Sequence, residues 1–307
     1  MPIGRALVLV LWLAAAGAAH AQASYQPPRT PDGRPDLQGV WISRWITPLE
    51  RQAPLKNLVM TPDEVAPALK AEWRRHDSLD GLESLDAFEF TTFVTVRGET
   101  RSSIIIDPPD GRLPMLPEVR ARYRPGPTGT DDVEQRGLNE RCLSTGNGFA
   151  PMLAAPAGNI RRIVHTTDHV MIHTELMSQL RVIPTDGRSA IGARADTMEG
   201  RWEGDTLVVV TTKIPDRFRG ARGSNFGVTP ATRIAERFRR TGPQEITYTF
   251  TVEDPSIYTR PWSGETVLIA TSDPMFEYAC HEANYGLANI LLGARVVEER
   301  ASKKAKP

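Results

Sequence analysis

The sequence is poor in net charge, in cysteine and in long apolar runs, and each shortage excludes something. Lys and Arg number 37 and Asp and Glu number 37, so the formal net charge is zero. No overall basic excess exists to draw the chain to nucleic acid or to an anionic membrane. The basic cluster of note is the tail Lys303, Lys304 and Lys306, a pattern that is usually solvated. Two cysteines, Cys142 and Cys280, rule out a dense disulfide scaffold and a multi-cysteine zinc site. Apolar stretches after the N-terminus are interrupted by charge every few residues, so no later membrane span is expected. The usual catalytic signatures are missing: no G-x-S-x-G nucleophile elbow, no Walker loop, no G-x-G-x-x-G after a strand and no H-E-x-x-H. Neither a cofactor nor a metal is expected.

One long apolar run is present, at the start. Arg5 precedes Ala6 to Ala19, and two A-x-A registers follow, Ala19-His20-Ala21 and Ala21-Gln22-Ala23. This is the grammar of a cleaved signal peptide, with the cut just before Gln22 or Ser24. The run falls short of the about 20 apolar residues that a span needs. A periplasmic or secreted location follows as the expectation. In an oxidising compartment the two cysteines are expected to pair, the alternative being two separate buried thiols.

With 307 residues, 24% charged and 40% hydrophobic, the rest has the make-up of a soluble globular protein. Residues 24–60 are rich in Pro, Gly and Asp and read as an extended arm holding one strand, Leu37 to Ile42. Residues 61–150 read as a flank of helices and strands. Thr61-Pro62-Asp63-Glu64 is a helix start, with Thr61 as cap and Pro62 at the first helical position. Short helices are predicted at 117–123 and 131–143, strands at 93–96 and 103–106. Residues 77–89 are acidic and irregular.

After Pro156 the pattern turns to β. Predicted strands run 160–165, 169–176 and 180–184, followed by hairpins around Glu203-Gly204-Asp205 and Thr241-Gly242-Pro243-Gln244. A last hairpin is predicted from Thr266–Thr271 and Met275–His281. Ile246, Tyr248, Phe250 and Val252 alternate with threonines, the cleanest period-two signal in the chain. Short strands joined by tight turns imply an antiparallel meander, a barrel or a sandwich. The fold class expected is mainly β with a few helices: an up-and-down, lipocalin-like barrel over 151–295, a helical flank belonging to the same domain, and a basic tail over 296–307. Trp202 is expected to anchor the core.

Three motifs carry a resemblance: Pro31–Trp41, Gly200–Val209 (GRWEGDTLVV) and Glu277–Gly286 (EYACHEANYG). Together they resemble a large uncharacterised family of secreted bacterial proteins, which implies export but supplies no reaction. Gly39-Val40-Trp41 has the G-x-W form of lipocalin-like barrels, a weaker likeness that Gly200-Arg201-Trp202 repeats.

Strand parity nominates site residues. On a strand through 275–281, Glu277 and His281 share a face, roughly 13 Å apart at about 3.3 Å per residue. Glu236 shares a face with Ile234 and Phe238, which would carry a carboxylate into the barrel, where it needs a partner or a purpose. His173 and Glu175 share a face with Met171, and Arg181 on the next strand is placed to pair with Glu175. Each of these also fits an ordinary cross-strand ion pair or a solvated outer face. Tyr258, Arg260 and Trp262 gather at a strand end, a lip for a pocket or a packed barrel corner, and Tyr285 lies beyond the last predicted strand. His165, His169 and His173 are equally spaced, but the turn at 166–168 separates the first from the others. Two functions follow. One is binding of a small, partly apolar molecule through His173, Arg181, Tyr258, Arg260, Trp262 and Tyr285. The other is cofactor-free acid–base catalysis by His281 with Glu277, Glu236 or Glu175. A third possibility is an envelope interaction protein that docks through its arm and helices.

Overall fold

The computed structural model describes residues 25–80, 92–122, 129–137, 140–143, 149–154, 159–191, 196–215 and 226–304. The proposed signal peptide, most of the acidic stretch, the loop 220–225 and the last three residues lie outside them.

The described residues build thirteen strands and three helices. The strands are β1 (Gly39–Ile42), β2 (Thr95–Val96), β3 (Glu99–Thr100), β4 (Ile105–Asp107), β5 (Ile160–His165), β6 (His169–Thr174) and β7 (Gln179–Pro184). They continue with β8 (Ser189–Ile191), β9 (Thr197–Glu203), β10 (Thr206–Thr212), β11 (Arg233–Gly242), β12 (Glu245–Glu253) and β13 (Trp262–Ala270). The helices are α1 (Pro62–Asp80), α2 (Pro117–Arg122) and α3 (Tyr285–Lys304). At the start of α1 the Glu64 carboxylate reaches back to accept the Thr61 N–H at 2.8 Å, half of a capping box. The helix expected over 131–143 is only a single 3-10 turn, Val133–Gln135, among the described residues.

Ten strands form one antiparallel ladder in the order β7-β6-β5-β1-β13-β12-β11-β10-β9-β8. The ladder curls until β7 comes against β8 and β9, giving a nearly closed barrel. Two meanders, β5 to β7 and β8 to β13, are the runs expected from the alternation. Their junction differs from a simple up-and-down order, because β1 from the N-terminal arm is inserted between β5 and β13. β4 also pairs with β13. Both edges of β13 are therefore occupied, and the return strand expected at 275–281 has no ladder to join. Residues 271–279 instead run without regular structure, and a 3-10 turn, Cys280–Ala283, follows. Pro274 lacks a ladder donor and Asp273 is drawn to Arg44 at 2.6 Å, which suits that path.

Alternation sends Ile246, Tyr248, Phe250 and Val252 inward on β12, against Ile234 and Phe238 of β11 and Leu207 and Val209 of β10. The aromatic rings form a chain: Phe238 to Tyr248 at 4.9 Å, Tyr248 to Phe250 at 5.7 Å, and Phe250 to Trp262 at 5.6 Å. Two glycines let this interior close. Gly264 lies opposite Phe250, and a Cβ there would sit 2.3 Å from the ring Cζ. Gly200 lies where β9 meets β7, and its Cβ would sit 2.6 Å from both Ile183 Cγ2 and the Pro184 carbonyl oxygen. At one end Trp41 donates to the Leu37 carbonyl at 2.9 Å, with Arg240 over its ring. Trp202, expected as an anchor, is only partly buried and lies edge-on to His165; Trp41 and Trp262 hold the anchoring positions.

The Cys142–Cys280 disulfide is formed, with Cα atoms 5.7 Å apart across 138 residues of sequence. It is consistent with an oxidising compartment.

Candidate functional site

Among the described residues the barrel interior is packed with side chains. Tyr248, Trp262, Phe238, Ile183 and Leu207 each have zero accessible surface, so no water-sized space adjoins them. Glu236 does enter this interior, the face it shares with Ile234 and Phe238 being the inward one, and it is fully enclosed. Its partner is Arg181, reaching across the barrel from β7. Arg181 Nη1 donates to Glu236 Oε1 at 3.0 Å, and Nη2 donates to Oε2. The Tyr248 hydroxyl donates to Glu236 Oε1 at 2.8 Å and accepts the Met152 N–H at 2.8 Å. Burial and the adjacent Glu236 charge hold the Tyr248 hydroxyl well above its ordinary pKa. Burial works against the Arg181 cation, but the Glu236 carboxylate outweighs it and leaves that pKa raised. Both Glu236 oxygens are thus engaged, and this trio ties β7 to β11 and β12 across the barrel. Arg181 does not meet Glu175, whose Oε2 instead accepts the Phe276 N–H at 3.4 Å.

The Tyr258–Arg260–Trp262 group is a packed barrel corner. Trp262 and Tyr258 are buried, and the Tyr258 hydroxyl donates to the Gly227 carbonyl at 2.9 Å. Arg260 is half-exposed and pairs with Asp107. His281 sits exposed in the 3-10 turn before α3, and Tyr285, 74% exposed, starts that helix. His281 and Glu236 are therefore not brought together: one faces solvent and the other is sealed in the core. His169 pairs with its neighbour Asp168 at 2.9 Å. Among the described residues no three His, Cys, Asp or Glu side chains gather to hold a metal ion.

Two of the nominated residues, His173 and Glu277, line one cleft. Arg162 on β5 and His173 on β6 are direct cross-strand partners whose side chains share the outer face of the barrel. Residues 275–277 cross this face, held by the Phe276 contact to Glu175. Between them lies an open cleft of about 340 Å³ lined by Arg162, His173, Ser178, Met275, Phe276 and Glu277. Phe276 is 69% exposed. Partial burial, then the Arg162 charge, lower the His173 pKa, so the ring is neutral near pH 7. Among the described residues, Arg162 and Glu277 have no ion-pair partner and His173 has no hydrogen-bond partner. The cleft thus presents a free cation, a free carboxylate and a neutral imidazole beside a thioether and a phenyl ring. Parity pointed to His173; Glu277 was nominated from a strand that does not form. Met275 and Phe276 were missed because the covering segment was read as a strand, and Arg162 on β5 because nothing in the sequence showed that this segment crosses its face.

No family model matches the chain, and comparison with curated proteins also finds no match. Among solved structures, a mutant of the fluorescent protein UnaG is similar over 45% of this chain and 88% of that one, at 8% identity and a TM-score of 0.26. At so low a score, the barrel reading rests on the strand ladder itself.

Proposed function

We propose that this protein is an exported barrel that binds a small, partly apolar molecule carrying an acidic group, in the cleft on its outer face. The observation that supports this is the convergence of unpaired Arg162, His173 and Glu277 with Phe276 and Met275 in one open cleft. Unpaired ionisable groups beside exposed apolar surface are a recognition arrangement: the cation fixes an anionic group and the ring covers the apolar part. The disulfide and the N-terminal apolar run with its small-residue cleavage registers support a periplasmic or secreted setting. The filled interior shifts the expected site from inside the barrel to its outer face.

The test is a titration of the disulfide-bonded chain from Ser24 onward with octanoate, followed by NMR. Saturable shifts confined to Arg162, His173, Ser178 and residues 275–277 are expected, with affinity about tenfold weaker in Arg162→Gln. Non-saturating shifts, or shifts centred elsewhere, would refute the site. One observation favours a second reading, cofactor-free acid–base catalysis. Glu277 shares the cleft with a histidine of lowered pKa, so His173 would serve as the base in place of His281.

A further inference from the structure

α3 is a 20-residue helix, about 30 Å long, that buries none of its described residues and, among the described residues, makes no extensive contact with any strand or other helix. It is held at a few points. Cys280 just before it is bonded to Cys142, Asn284 Nδ2 donates to the Glu140 carbonyl at 2.7 Å, and Arg295 Nη2 donates to the Thr130 and Asp131 carbonyls at 2.8 Å. These contacts, with the half-buried Leu287, Leu291 and Ala294, mark the side turned to the body of the protein. At about 100° per residue the outward sector carries Tyr285, Ile290, Leu292, Val296 and Val297. Their exposures are 74%, 37%, 62%, 44% and 65%. Most helical stability in proteins comes from packing an apolar face, and this one has no cover among the described residues.

The charge along the helix says what covers that sector. Tyr285 to Ala294 carries no charge at all. The following turns carry Arg295, Arg300, Lys303 and Lys304 against Glu298 and Glu299. Both acids are engaged within the helix, by Arg295 at 3.2 Å and by Lys303 at 2.5 Å. Among the described residues Arg300 and Lys304 on the outward side have no ion-pair partner, and Lys306 follows in the sequence. The chain as a whole is neutral, so this basic excess is local. A second copy packed along the helix gains nothing from it: antiparallel pairing sets the charged half against an uncharged half, and parallel pairing sets like charges level. An apolar stripe with a basic end instead matches an anionic bilayer, with aliphatic side chains entering the headgroup boundary and cations over the phosphates. No helix among the described residues is long and apolar enough to cross a membrane, which fits a helix lying in the interface.

We propose that α3 docks this protein on an anionic lipid surface through Tyr285, Leu292, Val296 and Val297, steered by Arg300 and Lys304. The probe is vesicle co-sedimentation of the disulfide-bonded chain from Ser24 onward. Vesicles of phosphatidylglycerol with phosphatidylcholine are compared with pure phosphatidylcholine. Binding to the anionic vesicles is expected, weakening about tenfold in Leu292→Glu with Val296→Glu, and about tenfold in Arg300→Gln with Lys304→Gln. Unfolding midpoints of both variants should stay at the wild-type value, since the replaced side chains are exposed. Failure to sediment with anionic vesicles, or equal sedimentation with the neutral ones, would overturn the proposal. So would a stable dimer in sedimentation velocity that Leu292→Glu with Val296→Glu dissociates, which would give the face to a second copy.

Discussion

Replacing Glu236 by Gln should be among the most damaging single-atom changes available to this protein. The substitution keeps the shape but removes the charge from a site with no solvent access. The Arg181 side chain, 5% exposed, is left with both Nη donors aimed at a neutral amide, one end of which is itself a donor. Removing one partner of a buried pair typically costs about 3 to 5 kcal/mol, because the surviving charge is uncompensated. Asp196, also buried, acts on Arg181 as well and favours the lower end of that range. At roughly 2 to 4 °C per kcal/mol for a domain of this size, the midpoint should fall by about 6 to 20 °C. Removing both charges should behave differently: Arg181→Met with Glu236→Leu is expected within about 1 kcal/mol of wild type, or above it. Tyr248→Phe lies between, since it strips one acceptor from the Met152 N–H and one donor from Glu236, at about 1 to 3 kcal/mol. Urea unfolding at neutral pH with the disulfide intact measures all three, and Arg181→Met and Glu236→Leu taken singly complete the double-mutant cycle. A Glu236→Gln cost under about 1 kcal/mol, or a double variant worse than either single, would show that the pair does not hold β7 across the barrel.

Two further outcomes are expected. Gly264→Ala should destabilise by about 1 to 3 kcal/mol by driving a methyl into the Phe250 ring, and Gly200→Ala by at least as much, because backbone on β7 cannot yield as a side chain can; near-wild-type urea midpoints would contradict the close strand approach. Stability should also fall as pH drops below about 6.5. Burial first, and for His173 also Arg162, lowers the folded-state pKa of His165 and His173, although Asp36 and Asp32 partly oppose this at His165. The unfolded chain therefore binds protons first, so the contribution is complete above the unfolded pKa and is lost as pH falls through the folded values. His165→Gln should flatten that slope in urea titrations between pH 7 and 5; an unchanged slope would remove His165 as a contributor.

The strands β5, β6, β7 and β9 to β12 were legible in sequence from β-rich runs between turn signals, and β12 most cleanly from its period-two alternation, because a half-buried strand presents apolar side chains to one face. The start of α1 was legible from its cap, and the face that Glu236 shares with Ile234 and Phe238 from parity. The disulfide was legible from the compartment expected and the cysteine count. All of these are local rules, or one-to-one pairings with no competitor.

What only the tertiary structure decided is which distant segments meet. β1 entered the ladder between β5 and β13, and that choice left residues 271–279 without a strand to join. Those residues then crossed the outer face and made the cleft with Arg162 and His173. Arg181 had two glutamates within plausible reach, Glu175 by sequence proximity and Glu236 across the barrel. The enclosed one took it, because an unpaired carboxylate in the core costs far more than one at the surface. Local pattern sets what each segment can be; competition for ladder edges and for buried charges sets where it goes, and that competition is written over the whole chain rather than in any window of it.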